Sequence, residues 1–193
     1  MYEYFNGKLT YKAPTHVVID VSGIGYYVHI SLYTFSQIKD QENCKLFISL
    51  QVREDSHTLY GFATEGEKKL FENLISVSGI GPNTGRMILS SNTPDEIQSA
   101  IVNGQVALIQ KIKGIGPKTA QRLILELQDK LKKQGFEALA TSIQSQSIPD
   151  EALSALVMLG FNKAAAEKVL NTILKTDSNL SVEDMIKLAL KRL

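Results

Sequence analysis

The sequence contains a single cysteine, Cys44, among its 193 residues, and it contains no tryptophan. One cysteine cannot form a disulfide within the chain or a metal centre built from several thiolates, so Cys44 is predicted to be a small buried hydrophobic residue. No apolar run approaches the roughly 18 residues that cross a bilayer. Residues 1–8 lack the basic stretch and the apolar run of a signal peptide. These absences predict a cytoplasmic protein.

Motifs for nucleotide and metal chemistry are missing as well. The sequence has no Gly-x-x-x-x-Gly-Lys-Ser/Thr loop, which excludes an ATP site of the P-loop kind. The two Gly-Ile-Gly-Pro runs, at residues 79–82 and 114–117, lack the third glycine and the strand–turn–helix context of a dinucleotide-binding fingerprint. His16, His29 and His57 lie in a strand-rich part, at no spacing typical of metal ligands. We therefore expect no cofactor, no metal and no catalytic site in this chain.

The net charge is only +1, which does not suggest a protein that coats nucleic acid through a general basic surface. The charge is unevenly distributed, because residues 64–135 have a net charge of +3 and the segments on either side have −1 each. The excess of lysine and arginine favours a phosphate-binding module in the middle of the chain. An excess of this size is also common in proteins without such a function.

The first third of the chain has the composition of short β-strands. Five segments are rich in β-branched and aromatic residues: 2–11, 16–21, 26–32, 45–52 and 57–62. Ser22-Gly23-Ile24-Gly25 separates two of them, and glycine permits the positive φ of a tight reversal. Closure into a small antiparallel barrel would remove the exposed strand edges.

From Glu65 the apolar residues recur at helical spacing, which predicts several short helices that end near Lys133. The composition changes again at residues 134–148, where glutamine, serine and threonine predict a flexible tether. Three further helical patterns follow Pro149, at 150–159, 163–174 and 182–193. The last begins after a capping-box-like sequence, Ser181-Val182-Glu183-Asp184.

The middle segment repeats itself after 35 residues, because residues 74–84 align with residues 109–119. Both glycines, the proline and the apolar positions match, which indicates an internal duplication. Each unit is predicted to be a short helix, a Gly-Ile-Gly turn and a second helix that begins at Pro82 or Pro117. Glycine allows the turn's unusual backbone angles, and proline fits the first helical turn, where its missing N–H costs nothing.

These units look like helix–hairpin–helix motifs, which hold the DNA backbone without reading bases. The free N–H groups at each helix N-terminus would attract a phosphate, and two units in tandem would grip both strands across a minor groove. Lys111 and Lys113 flank the second Gly-Ile-Gly turn. The candidate DNA contacts are Gly79, Ile80, Gly81, Asn83, Thr84, Lys111, Gly114, Ile115, Gly116, Lys118, Thr119 and Arg122. A pair of glycine-capped helix corners without a ligand is the structural alternative.

Further runs make the resemblance specific. Val52-Arg53-Glu54-Asp55, then Leu59-Tyr60-Gly61-Phe62, closes the strand-rich part, and the run from Gly114 to Leu123 contains the second hairpin. Together with the order of the segments, these runs resemble the RuvA family of Holliday-junction branch-migration proteins over essentially the whole chain. The resemblance implies an α+β multi-domain fold, with an OB-like barrel at 1–63, a tandem helix–hairpin–helix domain at 64–133, a flexible linker at 134–148 and a UBA-like three-helix domain at 149–193.

The resemblance also implies a function. RuvA-like proteins bind four-way DNA junctions in recombination and repair, as homotetramers or as octamers of two facing tetramers. Glu54 and Asp55 match the family's acidic pin at the crossover, where their charge would repel phosphates and favour separation of the bases. From the residues alone, a solvated turn between two strands is the simpler interpretation of this pair.

The C-terminal residues 149–193 resemble the domain that docks on a RuvB-like hexameric ATPase. ATP would then be used by the partner, and the chain itself would be non-catalytic; a RuvC-like resolvase is a further expected partner. Leu159, Phe161 and Leu170 are candidate partner contacts, although core packing is the expected role of most apolar residues here. One departure from the family is Asn83, which stands where a lysine usually follows the first Gly-x-Gly-Pro and predicts a weaker grip by the first hairpin.

Two other functions fit parts of the sequence. In a DNA glycosylase or lyase of the hairpin type, Lys118 would be the nucleophile that attacks the sugar. A phosphate contact is the simpler role for a lysine beside such a turn. In an adaptor, the hairpins would dock proteins, and DNA affinity would be absent or insensitive to salt.

Overall fold

The structure is a computed structural model that describes residues 2–38, 42–143, 148–176 and 180–192. The chain divides into two units, Met1–Gln134 and Gly135–Leu193. Among the described residues, no helix combines the length and the apolar character needed to cross a membrane.

Five strands close into a barrel in the order β1-β2-β3-β5-β4, which confirms the predicted barrel. The strands are β1 (Tyr4–Ala13), β2 (His16–Val21), β3 (Ile24–Ile30), β4 (Asn43–Val52) and β5 (His57–Phe62). All neighbouring strands run antiparallel except β3 and β5, which run parallel. At the β2–β3 turn, Ser22 and Gly23 have φ angles of 55° and 88°, and the Asp20 carboxylate accepts a hydrogen bond from the Gly23 N–H. The glycine predicted to permit a tight reversal therefore stands where the positive φ is needed.

The barrel core consists of residues that alternate with outward-facing ones along each strand. Its fully buried members include Val17, Ile19, Val28, Ile30, Leu46 and Ile48. Cys44 is buried in the same core, as predicted, and burial raises the pKa of its thiol. A short helix, α1 (Leu32–Gln37), follows β3, and the Ser31 hydroxyl caps it by accepting the Thr34 N–H at 2.9 Å.

Five helices follow the barrel and share one core with its last strand. They are α2 (Glu65–Ser76), α3 (Pro82–Ser91), α4 (Pro94–Val102), α5 (Val106–Gln110) and α6 (Pro117–Ile143). Tyr60 and Phe62 of β5 join this core and stack near Phe71 of α2 at centroid distances of 5.2 and 4.8 Å. The barrel and the helices are therefore packed together through apolar contacts and do not form separate bodies.

Glu67, in the first turn of α2, ties the helices to the barrel although it is only 1% exposed. Its carboxylate accepts hydrogen bonds from the Ser31 hydroxyl at 2.6 Å, the Thr34 hydroxyl at 2.7 Å and the Ala63 N–H at 3.1 Å. Burial raises the pKa of Glu67, while the three donors favour the charged form and oppose that rise. Because a buried carboxylate requires such partners, Glu67 holds α2 against α1.

Helix α6 extends further than the sequence predicts. The helical backbone continues to Ile143, so residues 134–143 are helical and the boundary near Lys133 is wrong. The segment Glu137-Ala138-Leu139-Ala140 explains the extension, because these residues have high helix propensity. Residues 144–147 of the predicted tether lie outside the described residues, and its flexibility stays a prediction.

Three helices follow α6 in the described residues, as expected: α7 (Ile148–Met158), α8 (Lys163–Thr176) and α9 (Val182–Leu190). Their core includes Ala152, Leu156, Ala166, Leu170, Ile173, Met185 and Ala189. Ser181 caps α9, because its hydroxyl accepts the Asp184 N–H at 3.2 Å. The capping signal at this position is therefore confirmed.

Replacing Glu67 by alanine should lower the free energy of unfolding by about 3 kcal/mol, because two buried hydroxyls and one N–H lose their acceptor. Glu65→Ala on the same helix is the matched control. Its carboxylate is exposed and forms an i,i+4 ion pair with Lys69, so its loss should have little effect. Urea unfolding followed by circular dichroism measures both. Equal losses of stability would contradict the role of Glu67.

Candidate nucleic-acid interface

The first hairpin joins α2 to α3 through residues 77–81. Gly79 has a φ of 93°, in the left-handed region that glycine adopts without strain. The Ile80 N–H donates to the Val77 carbonyl at 3.0 Å, and the Ile80 side chain is 3% exposed. The buried isoleucine therefore anchors the turn from inside, and only the backbone at this position is available to a ligand.

The second hairpin joins α5 to α6 and repeats this geometry. Gly114 has a φ of 89°, and the Ile115 N–H donates to the Ile112 carbonyl at 3.1 Å. Ile115 is buried, at 6% exposed. The first helical hydrogen bond also matches, because Gly85 N–H to Gly81 O is 2.9 Å and Ala120 N–H to Gly116 O is 3.0 Å. The two sequence repeats therefore form equivalent backbone hydrogen bonds.

The helices that start at the hairpins differ from others in the chain in how they begin. Side chains of Ser31, Thr64, Thr93 and Ser181 cap α1, α2, α4 and α9. In contrast, α3 starts after Gly81 without a side-chain cap among the described residues, and Gly116 before α6 has no side chain. The N–H groups of the first turn have no carbonyl within the helix to bond. Both hairpins therefore present free N–H groups at the positive end of a helix dipole.

The second glycine of each turn is not required by the fold. A Cβ added at Gly81 or Gly116 would meet no atom within 4 Å, and Gly81 has an ordinary φ of −82°. Larger residues would therefore fit in the free protein. Glycine at these two positions instead leaves room for a ligand to approach the backbone closely.

Cationic side chains surround the second hairpin. Lys111, Lys113, Lys118 and Arg122 are all exposed. The Arg122 Nε lies 3.9 Å from a carboxylate oxygen of Glu126, a solvent-exposed ion pair of little strength. These side chains can therefore turn toward phosphates beside the free N–H groups, and the DNA contacts of Lys118 and Arg122 stay a prediction.

The first hairpin is joined to the barrel by polar contacts that the sequence did not indicate. The Tyr60 hydroxyl donates to the Asn83 side-chain oxygen at 3.2 Å, and the Arg86 guanidinium donates to the Thr15 carbonyl at 2.9 Å. Burial raises the pKa of Tyr60, so its hydroxyl keeps the proton that it donates. Asn83 therefore has a structural partner, and Arg86 supplies a cation close to this hairpin. In the sequence, Arg86 is a basic residue about one helical turn after the start of α3, and this position could have identified it as a candidate phosphate contact.

The two candidate pin residues, Glu54 and Asp55, are exposed in the turn between β4 and β5. The Arg53 N–H donates to the Ser56 carbonyl at 2.8 Å and closes the turn. The Ser56 hydroxyl donates to the Asp55 carboxylate at 3.2 Å. The turn thus presents two carboxylates at the barrel surface.

The candidate partner contacts differ in exposure. Leu159 is 62% exposed and the preceding Met158 is 90% exposed, whereas Phe161 is half-buried. Leu170 is 3% exposed and belongs to the core of the C-terminal unit, so its side chain is not available to a partner. Helical periodicity places Leu170 on the apolar face of α8, but it does not show whether a neighbouring helix or a partner covers that face. The candidate surface is therefore reduced to the end of α7 and the turn after it.

Three family models match the chain. They are the RuvA N terminal domain over residues 1–61, the SAM-like helix-hairpin-helix tandem over residues 71–129 and the RuvA C-terminal domain over residues 149–193. The chain also resembles whole proteins named Holliday junction branch migration complex subunit RuvA. The relative from Christiangramia forsetii is 53% identical over the full length of both chains, and that from Cytophaga hutchinsonii is 52% identical over 99% of both. The relative from Bacteroides thetaiotaomicron is 47% identical, again over both full lengths.

The matched models follow the same order as the barrel, the paired hairpins and the three-helix unit. Similarity at this level also extends over whole chains, so it is not confined to the hairpin motif that many DNA-binding proteins share. The resemblance in the sequence is thereby confirmed, and the chain belongs to the RuvA family of Holliday junction branch migration complex subunits.

Proposed function

We propose that the chain is a non-catalytic subunit that binds four-way DNA junctions and recruits a RuvB-like ATPase for branch migration. The observation that supports this most strongly is the pair of equivalent hairpins with uncapped helix N-termini and open glycines. Free N–H groups and a helix dipole bind anions, and the open glycines allow a phosphate to come close. The names of the full-length relatives point to the same junction substrate.

Contacts of this kind explain recognition by shape and not by sequence. Phosphates are alike at every base pair, so backbone contacts position the DNA without selecting a sequence. Each phosphate that is neutralised releases counterions, so affinity should fall steeply as salt rises. A subunit that remains bound while the junction moves along DNA requires this indifference to sequence.

The remaining parts have complementary roles in the proposal. Glu54 and Asp55 act at the crossover, where carboxylates repel phosphates and discourage the duplex from closing. The family resemblance supports a homotetramer, alone or facing a second one, with a RuvC-like resolvase as a further partner. The C-terminal helices dock the ATPase, which supplies the energy, and the chain needs no cofactor of its own.

Lyase chemistry is not supported by the position of Lys118. A nucleophilic lysine must be partly deprotonated, which usually requires a desolvated pocket or a neighbouring cation in contact with it. Lys118 is exposed in the first turn of α6. A phosphate contact remains the role that its surroundings favour.

Replacing both Gly81 and Gly116 by alanine should weaken junction binding by at least tenfold, because each added methyl group occupies the space of a phosphate oxygen. Thermal stability should stay close to that of the unmodified chain, since neither methyl group meets protein atoms. Gly66→Ala, in an open position on α2, is the matched control and should retain full binding. Fluorescence anisotropy with a labelled four-way junction and an equally long duplex measures the affinities. Unchanged binding by the double variant would contradict the proposed phosphate sites.

Replacing Glu54 by glutamine and Asp55 by asparagine should reduce the preference for junctions over duplex severalfold. The substitutions remove charge but keep size, so duplex DNA is no longer repelled from the turn. Competition binding at several salt concentrations gives the ratio of the two affinities. A ratio equal to that of the unmodified chain would show that the turn has no role in selecting junctions.

Leu159→Glu should weaken binding to the RuvB-like ATPase at least tenfold, because a charge would replace an exposed apolar contact. Leu190→Glu is the matched control, since Leu190 is also exposed (44%) in the same three-helix unit. Isothermal titration calorimetry with the ATPase measures both affinities, and junction binding should be unaffected. Equal effects of the two variants would remove the end of α7 as the docking surface.

A further inference from the structure

Aromatic rings form a continuous row on the outer face of the barrel. We call this row the aromatic strip, and it consists of Tyr11, His16, Tyr27, His29 and Tyr60. Successive ring centroids are 5.2, 4.5, 5.1 and 5.6 Å apart in that order. The first two contacts are stacked, with interplanar angles of 23° and 18°. The strip therefore crosses strands β1, β2, β3 and β5 without a break.

The outer end of the strip is exposed to solvent. Tyr11 is 53% exposed and Tyr27 is 50% exposed, and His16 lies between their rings. Contacts between rings on neighbouring strands stabilise a sheet, but they do not require so much apolar surface in water. Rings in such a row offer stacking surface to a further flat group.

Cationic side chains lie near the inner end of the strip. Arg86 donates to the Thr15 carbonyl, one residue before His16. Burial raises the pKa of Tyr60, and the positive charges of Arg86 and Arg53 oppose that rise. Arginine next to aromatic rings is the combination by which proteins hold single-stranded nucleic acid, because the cation attracts the phosphates and the rings stack on the bases.

The inner end of the strip lies next to both elements that the proposed function assigns to DNA. The Tyr60 hydroxyl is bonded to Asn83 in the first hairpin. Glu54 and Asp55 lie in the turn that joins β4 to β5, the strand that contains Tyr60. Tyr60 itself is only 4% exposed, so the exposed rings Tyr11 and Tyr27 are the part of the strip that is open to DNA.

We propose that the aromatic strip binds unpaired bases at the crossover, which stack on Tyr11, His16 and Tyr27. The inference rests on the proposed function, and it assigns a binding site to bases that the acidic turn keeps apart. Stacking does not depend on the identity of the base, so the site is compatible with a junction that moves through any sequence. A second copy of the chain is the competing occupant of this face, and the flanking arginines together with the link to the hairpin favour DNA.

The test compares a four-way junction with fully paired arms and the same junction with unpaired thymines at the crossover. The unmodified chain should bind the unpaired form about tenfold more tightly, the gain typical of stacking a base on an aromatic ring. The double variant Tyr11→Thr, Tyr27→Thr should lose this gain and keep its affinity for the paired junction. Threonine is chosen because it retains β-strand propensity.

Two controls accompany the test. Tyr11→Phe with Tyr27→Phe keeps both rings and should keep the gain. Tyr4→Thr removes a tyrosine that is equally exposed (52%) on β1 but lies under the Lys45 ammonium group, outside the strip, and it should also keep the gain. A 2-aminopurine in the unpaired segment should lose fluorescence when the unmodified chain binds, because stacking quenches it.

Three results would overturn the proposal: equal affinity of the unmodified chain for both junctions, absence of quenching, or a threonine variant that changes the sedimentation coefficient but not the gain. The last would identify the strip as a contact between subunits. If the threonine variant fails to fold, the quenching and the phenylalanine variant decide the question. Failure of the proposed function is separate, because it would appear as equal binding to the paired junction and to duplex.

Discussion

The N–H groups in the first turns of α3 and α6 have no partner within their helices, and the binding face depends on this. A serine or threonine caps α1, α2, α4 and α9, as Thr64 does for α2. At the hairpins a glycine and a proline start the helix instead, which leaves the N–H groups and the dipole available to an anion. The positive φ of Gly79 and Gly114 and the buried isoleucine after each keep this arrangement in place without a ligand. The site is therefore preorganised, and binding does not have to order it.

The N-terminus of α3 is held at a defined distance from the barrel. Glu67 holds α2 against α1 through two buried hydrogen bonds, and the Tyr60–Asn83 and Arg86–Thr15 contacts join the first hairpin directly to the barrel. Buried polar contacts with all partners satisfied, such as those of Glu67 with Ser31 and Thr34, specify geometry more strictly than apolar contacts do. Because the first hairpin is fixed to the barrel, its distance from the acidic turn and from the aromatic strip is also fixed. Asn83, which stands where the family usually has a lysine, fits this arrangement because its side chain accepts the hydrogen bond from Tyr60.

Features with a local or repeated signal could be predicted from the sequence. The Gly-Ile-Gly-Pro duplication predicted both hairpins, and the five segments rich in β-branched and aromatic residues predicted the barrel. Helix α1 was missed because its residues Tyr33, Thr34 and Phe35 favour strands, and its Ser31 cap only becomes evident in the structure. The joints between barrel and hairpin connect residues 23 and 71 positions apart, and no local pattern marks such pairs. Leu170 was placed on the partner surface because periodicity identifies an apolar face but not the element that covers it.

Hydrogen–deuterium exchange of the full chain, with and without a four-way junction, tests whether the free N–H groups of the two hairpins hold the DNA. The N–H groups of residues 83–84 and 118–119 should exchange rapidly in the free chain, because they have no helical acceptor. Both segments should become protected together when the junction binds, and protection should fall as salt rises. A junction that binds tightly without protecting either segment would contradict the account, because the phosphates would then be held by other groups.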